Sequence, residues 1–537
     1  PDPASLSQPE GVHGGTEVID LKQYAWQDDG WQNIPLSELI IYELHTGTFS
    51  AEGTFEGIAK KLDYILDIGI NAIEIMPVAQ FPGNRNWGYD GVYPYAVQDS
   101  YGGALELMKL VDKCHKKGIA VILDVVYNHF GPEGNYAANF GPYFSEIYST
   151  PWGHPINFDG KYSDGVRNCF IQNALMWLRD FHFDGLRIDA IHAIFDFSAK
   201  HILQEIAEKT DELTKETGRE YHLIAESHLN DVKYINPIEK GGYGLDAQWS
   251  EDFHHSVHAK ITGERNGYYA DYGDIDLIAK SIKESFAYDH KYSEYRKRTF
   301  GTSTKDNPGE QFVVFLQNHD MAGNRRFGER LTSLVSFEML KTAAALMFCT
   351  PNIPMLFMGE EYAEKNRYYY FVSHSDPGLN EAVRIGRDRE FRGFYGDNPP
   401  PAPDPAAEET FEASKLSFDF DKDRKSRAML DYNKEMIRLR KSNPVLADLN
   451  KERLSVHSEK DLLILKRWKG DDELLCFFNL GDSDMEHGFS EDKSVEMQKT
   501  LDSASEKWLG PGSDAPGIIR SGDKIKIKKE SVLIYTT

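Results

Sequence analysis

Cysteine is scarce in this chain: four residues in 537, Cys114, Cys169, Cys349 and Cys476, widely spaced and never as a CxxC pair. That spacing gives no sign of a zinc or dithiol redox site, and the four read as reduced, buried thiols. Also missing is any run of about 18 apolar residues, the length a helix needs to span a bilayer. The N-terminus, Pro1-Asp2-Pro3, has no charged-then-apolar signal segment, so the sequence predicts a cytoplasmic protein. No block of Lys or Arg occurs, and the formal net charge is -25. A polyanionic partner needs a positive patch, which argues against nucleic acid and anionic membrane surfaces and favours a neutral substrate. No internal repeat is evident.

What is present is an alternation of two periods. Strand-like runs occur at Leu39 to Phe49, Ala72 to Val78, Ala120 to His129, Gly185 to Ile191, His222 to Ser227, Leu245 to Ser250, Phe312 to Asp320 and Pro354 to Tyr362. Helix-like stripes separate them. Phe55, Ile58, Leu62, Ile65 and Leu66 repeat at helical spacing within Thr54 to Ile68, and Leu105 to Lys117 shows a similar stripe. Eight such strand-then-helix units predict a parallel (β/α)8 barrel over residues 37–445. Residues 130–166, after the third strand, form an excursion over the barrel mouth. A second insertion, 363–425, follows the eighth strand and contains the stiff stretch Pro399 to Pro405. Met429, Tyr432, Met436 and Leu439 then restore a helical stripe. Residues 446–537 read as a separate antiparallel β-domain, and 1–36 as a linker or the stub of a missing β-sandwich.

Three strand-like runs end in an acid: Gly185-Leu186-Arg187-Ile188-Asp189, Ala225-Glu226-Ser227-His228 and Gln317-Asn318-His319-Asp320. A parallel barrel displays strand-end side chains around one mouth, so acids distant in sequence converge there. Taken singly, an Asp at a strand end is usually a cap or turn former. Three together describe a carboxylate site for cleaving glycosidic bonds, which needs one protonated and one ionised carboxyl. Arg187 is two residues from Asp189, on the same strand face, where its cation would keep Asp189 ionised as a nucleophile. Glu226 follows the apolar run Leu223-Ile224-Ala225, where desolvation would keep it protonated as general acid. Asp320 would stabilise the transition state. Other polar residues also end strands: Asp124 as a structural brace, Asn128-His129, Tyr89-Asp90 and Glu360-Glu361. Aromatics reach 12% of the chain, enough to stack rings on sugars, although a large core also uses them.

The segments Asp124 to His129, Gly185 to His192, Ala225-Glu226-Ser227 and Gln317 to Asp320 resemble the four ordered signature regions of the α-amylase family of glycoside hydrolases. The resemblance implies Asp189 as nucleophile, Glu226 as general acid/base and Asp320 as stabiliser, with Arg187, His129, His319 and Tyr89 lining the subsite of the attacked sugar. It also implies substrate contacts at Asp90, His192, Asn230, Asp231 and Arg325, and retention of configuration. Within the family, Glu226-Ser227-His228-Leu229-Asn230-Asp231, Gly241 to Trp249, Gly323-Asn324-Arg325 and Glu381-Ala382-Val383-Arg384 are similar to the malto-oligosyltrehalose trehalohydrolase branch.

That likeness implies hydrolysis of the α-1,4 bond next to the terminal trehalose unit of malto-oligosyltrehalose, releasing trehalose, and functional coupling to a malto-oligosyltrehalose synthase. His228 and Phe371-Val372-Ser373-His374 depart from the usual branch pattern. A general α-1,4-glucan hydrolase or branching enzyme would use the same three acids and differ only in loops. A non-catalytic glycan-binding relative would have lost at least one of them, and all three are present. Many amylases bind calcium through an Asn like Asn128, but no Asp-rich cage of six to eight oxygens is legible, so no metal or other cofactor is expected.

Overall fold

The computed structural model describes residues 2–395, 400–490 and 495–537, the side chains of 392–395 excepted. Pro1 and Pro399, singled out in the sequence, lie outside the described residues. The chain forms two compact units, one of Pro1–Trp249, Gly323–Gly328 and Asn366–Leu416, the other of Ser250–Ala322, Glu329–Lys365 and Ser417–Thr537.

Eight parallel strands form a closed barrel in chain order. They are β1 (Ile41–Leu44), β2 (Ala72–Ile75), β3 (Ala120–Val125), β4 (Gly185–Ile188), β5 (His222–Ala225), β6 (Ala247–Trp249), β7 (Phe312–Phe315) and β8 (Ile353–Phe357). Every residue of all eight is buried, as parallel strands covered on both faces require. Within the first unit the register runs Ile41 beside Ala72, Ala72 beside Ala120, Ile122 beside Gly185, Gly185 beside His222 and Ile224 beside Ala247. A Cβ on Gly185 would sit 2.5 Å from the His222 carbonyl oxygen, so β4 and β5 approach this closely only because residue 185 is glycine.

All eight expected strands exist, and each is shorter than its apolar run. Leu39 to Phe49 holds a short helix at Thr46–Phe49, and Phe312 to Asp320 turns into the helix His319–Gly323. Apolar residues continue past the ladder because the loop bases are buried too. The stripe from Thr54 to Ile68 also divides, into Phe55–Ala59 and Leu62–Ile68. The Thr54 hydroxyl accepts from Gly57 N (3.2 Å) at one end, and Gly69 closes the other at φ 100°. The second stripe forms Gly103–Lys116, burying Leu107, Met108, Leu110, Val111 and Cys114.

Segment 130–166 has one short 3-10 turn, two isolated bridges, Phe144 with Ile156 and Thr150 with Gly153, and at its end the start of the helix Ser163–Arg179. The second insertion contains helices Pro377–Tyr395 and Glu408–Glu412, and no regular structure is formed over 400–404. In the second unit, helix Arg424–Ser442 buries Met429, Tyr432, Met436 and Leu439. A six-stranded antiparallel sheet follows, closed on a core that includes Leu462, Phe477, Ile525 and Tyr535. All four cysteines are free. Cys169 is half-buried, contrary to the expectation of four buried thiols, because the helix Ser163–Arg179 turns it toward the Tyr143 hydroxyl, 3.8 Å from its sulfur. No helix among the described residues is long and apolar enough to cross a membrane.

Of the first 36 residues, which show neither period, 20–36 have as regular structure only the 3-10 turn Leu21–Gln23 and the start of Leu36–Glu38. Side chains pin them instead. Trp31 Nε1 donates to Asp184 Oδ1 (2.6 Å), and the buried His115 ring bridges Asp28 (2.9 Å) and Asp184 (2.8 Å). Burial opposes charge on that ring, but Asp184 and Asp28 outweigh it and hold its pKa above the usual imidazole value.

The second unit contains a histidine of the opposite kind. His255, on helix Glu251–Thr262, lies among Tyr268, Tyr269 and Tyr272 at ring distances of 4.9, 5.6 and 5.1 Å. Burial pushes its pKa down to about 3, helped by Arg296 and His258. An unfolded chain protonates this imidazole near 6.5, so between the two values it binds more protons than the folded one. Stability therefore falls as pH drops from about 6.5 toward 3, by on the order of 5 kcal/mol at the lower end from this group alone. Calorimetric scans from pH 7 to 4 should show a declining Tm whose slope is shallower in His255→Phe. Parallel slopes would rule His255 out as the source.

Candidate active site

The register that pairs Ile188 with Ala225 sets the next residues, Asp189 and Glu226, at the same end of adjacent strands. The ladder continues through them: Asp189 N donates to Val125 O (3.0 Å), Glu226 N to Ile188 O (3.1 Å) and Ile191 N to Glu226 O (3.1 Å). The two acids are thus fixed by backbone as well as by side chain.

Arg187 holds them together. Its guanidinium is completely buried; Nη1 donates to Asp189 Oδ1 (2.9 Å) and Asp124 Oδ2 (2.7 Å), and Nη2 lies 3.4 Å from Glu226 Oε2. Asp124 is paired with Arg187 in the register of β3 and β4, and it also accepts from the Tyr89 hydroxyl (2.6 Å). Trp249, the last residue of β6, lies with its ring 4.2 Å from the guanidinium carbon. Burial alone would lower the Arg187 pKa, but Asp124, Tyr89, Glu226 and Asp189 outweigh it and raise it well above the ordinary value. A permanent single cation therefore lies against three carboxyl groups. Glu226 is not in the apolar setting its sequence suggested. Beside its ion pair with the guanidinium it accepts a hydrogen bond from Ala190 N (2.5 Å), an amide aimed at it because Ala190 adopts φ 39°, a costly conformation for a residue with a Cβ. Both partners come from β4 and its loop, a non-local contribution.

Asn128 Nδ2 donates to both the carbonyl (3.0 Å) and Oδ2 (2.7 Å) of Asp189, while its Oδ1 pairs with His129 Nδ1. His129 Nε2 faces Tyr89 O (3.0 Å), and its ring stacks on Trp152 at 5.4 Å. Burial lowers the His129 pKa against the pull of Asp189 and Asp90. The amide nitrogen of Asn128 is thus given to Asp189 and its oxygen faces His129. Among the described residues no group of three His, Cys, Asp or Glu could hold a metal ion.

The remaining positions follow on loops. Asp90 accepts from Asn86 Nδ2 (2.6 Å). His192 lies in the 3-10 turn Ile191–Ala193, its ring 3.8 Å from that of His228. Asn230 is buried at φ 53°, and Asp231 caps the turn Val232–Tyr234 by accepting from Lys233 N (2.9 Å), so one of its oxygens serves the backbone. Arg325 lines a small cavity with Arg326, Arg387, Tyr370 and Phe391. Contacts running through Asp124 and Asn128 thus join Tyr89 and His129 to Arg187, Asp189 and Glu226 within the first unit. Asp320 and His319 belong to the second, where buried His319 Nε2 is 3.5 Å from Asp320 Oδ1 and Asn318 Oδ1 accepts from Met321 N (2.8 Å). Glu360, in the 3-10 turn Glu360–Tyr362, has its pKa pushed up to about 8 by burial.

Sequence reasoning gave no role to Asn128 as the orienter of Asp189, to Trp249 beneath the guanidinium, or to Trp152. Trp249 was findable as the residue that ends a strand; the other two depend on loop geometry.

The chain matches the family description "Alpha amylase, catalytic domain" over residues 25–144 and 161–448. It is 53% identical over 441 residues to a protein of Saccharolobus solfataricus named malto-oligosyltrehalose trehalohydrolase, covering 82% of this chain and 75% of that one. A protein of the same name from Arthrobacter ramosus is 45% identical, covering 83% and 77% respectively. A crystal structure from Salmonella typhimurium superposes with a TM-score of 0.89 at 34% identity, over 100% of this chain and 88% of that one. With this fold, this carboxylate cluster and these likenesses, the chain belongs to the α-amylase family of glycoside hydrolases, in the company of its malto-oligosyltrehalose trehalohydrolases.

Proposed function

We propose that this protein is a retaining glycoside hydrolase that cleaves the α-1,4 bond next to the terminal trehalose unit of malto-oligosyltrehalose and releases trehalose. The observation that carries the chemistry is one buried guanidinium touching both Asp189 and Glu226 at the ends of neighbouring strands. Asp189 attacks the anomeric carbon while Glu226 gives its proton to the departing glycosidic oxygen, leaving a glycosyl ester on Asp189. Glu226, now a carboxylate beside Arg187 and the Ala190 amide, takes a proton from water as that water opens the ester. The guanidinium and amide favour the charged form needed in this second step, and substrate that excludes water favours the neutral form needed in the first. Asp320 is assigned to stabilising the oxocarbenium-like transition state, and Tyr89, Asp90, His129, His192, His319 and Arg325 to holding the sugar.

Specificity for trehalosyl ends is supported by the shared name of relatives at 53% and 45% identity. It is assigned to the loop of Asn230 and Asp231 and to the second insertion. A bent, non-reducing trehalose presents hydroxyls that an extending maltose does not, and each matched hydroxyl left unpaired costs about 1–3 kcal/mol. Maltotriosyltrehalose should therefore be hydrolysed at least about a hundredfold more efficiently in kcat/KM than maltopentaose, as read from product identities and rates. Equal efficiency would make the protein a general α-glucan hydrolase. The reading places it in the cytoplasm, where free thiols persist, and couples it to a malto-oligosyltrehalose synthase that supplies its substrate.

A further inference from the structure

His374 lies on the insertion after β8, and its imidazole is 1% exposed. Neither ring nitrogen makes a hydrogen bond. Two carboxylates flank it nonetheless: Glu133 Oε2 is 3.3 Å from Nδ1, and Asp90 Oδ2 is 3.8 Å from Nε2. Desolvating a polar ring without pairing it is unfavourable, and an apolar side chain would fill the space at less cost. Packing alone does not account for a histidine here; its placement between two acids does.

Both acids are anchored from their far sides. Glu133, on the excursion after β3, accepts from Ser375 N (3.0 Å) and from the Ser375 hydroxyl, and faces His13 Nε2 at 3.3 Å. His13 in turn has Nδ1 2.8 Å from the Tyr136 hydroxyl. Asp90 is held by Asn86 Nδ2, and the carbonyl of Asn86 faces His45 Nε2 at 2.8 Å. A Cβ on Gly131 would sit 2.1 Å from the Asp90 carbonyl oxygen, so the two loops are packed backbone to backbone. Five separate stretches of chain thus meet around this imidazole and its two acids, next to Tyr89, whose hydroxyl reaches Asp124.

We infer that His374 is a positioning residue for substrate binding: fixed on one side by Glu133, it sets where the Asp90 carboxylate and the Tyr89 loop stand, without touching the sugar itself. The inference rests on the assignment of Asp90 to sugar binding. His374→Phe keeps the volume and removes the polar ring, and should raise KM for maltotriosyltrehalose at least about tenfold while kcat stays within about threefold. His374→Gln, which keeps a donor near Asp90, should recover most of that loss. Asp90→Asn should raise KM by itself, and the double variant Asp90→Asn/His374→Phe should be no worse than Asp90→Asn, since the two act in series.

KM unchanged in His374→Phe with a lowered Tm, or single effects that multiply in the double variant, overturns the inference. Asp90→Asn without effect on KM overturns instead the assignment of Asp90 on which it rests. Should His374→Phe not fold, His374→Gln and Glu133→Gln provide the same comparison of KM with kcat.

Discussion

Asp189→Asn should lower kcat on maltotriosyltrehalose by at least about four orders of magnitude while the fold persists. An amide cannot take the sugar, so the glycosyl ester never forms. The substitution also reverses one contact. Asp189 Oδ1 accepts from Arg187 and Oδ2 from Asn128, so an amide NH2 at either position meets a donor. One hydrogen bond is lost and a polar pair faces wrongly, which costs about 1–3 kcal/mol of stability. The expected result is a folded, slightly less stable protein with almost no turnover. Activity within tenfold of the parent, measured beside an intact circular dichroism spectrum, would remove Asp189 from its role.

Arg187→Lys should be nearly as damaging, although the charge is kept. A guanidinium is a planar fork that reaches Asp124, Asp189 and Glu226 from two Nη atoms, and an ammonium is a single point that cannot satisfy all three. Leaving buried carboxylates without their partner costs about 3–5 kcal/mol. Chemical denaturation should register a loss of that order, and kcat should fall about a thousandfold because Asp189 and Glu226 are no longer held by one rigid group. A Lys variant with stability and turnover near the parent would show that the guanidinium only fills space.

How far the sequence could be read depended on the range of the interactions. The eight barrel strands were legible because each is a β-branched or apolar run buried on both faces, a local signal. Their ends were not, since Thr46–Phe49 and His319–Gly323 are as apolar or as mixed as the strands they follow. The contact between Arg187 and Asp189 follows from a spacing of two along an extended chain. The surroundings of Glu226 do not, because the guanidinium and the Ala190 amide arrive from a neighbouring strand and a strained turn. Residues 1–36 read as a linker or stub for a related reason: within them Trp31 and Asp28 are fixed by side chains to Asp184 and His115, and such pinning leaves no period.

That pinning bears on β4. Asp184, one residue before the strand, receives Trp31, His115 and the Val121 amide (2.7 Å); Asp189, one residue after it, receives Arg187 and Asn128. Four residues of strand, a span of about 13 Å, therefore run between two clamps. A strut held at both ends has little axial play, so under the proposed function its terminal carboxylate would meet each incoming sugar at the same depth. Part of the stretch that reads as a linker is thus one of the two clamps on the strand that carries Asp189, the acid we assign as nucleophile.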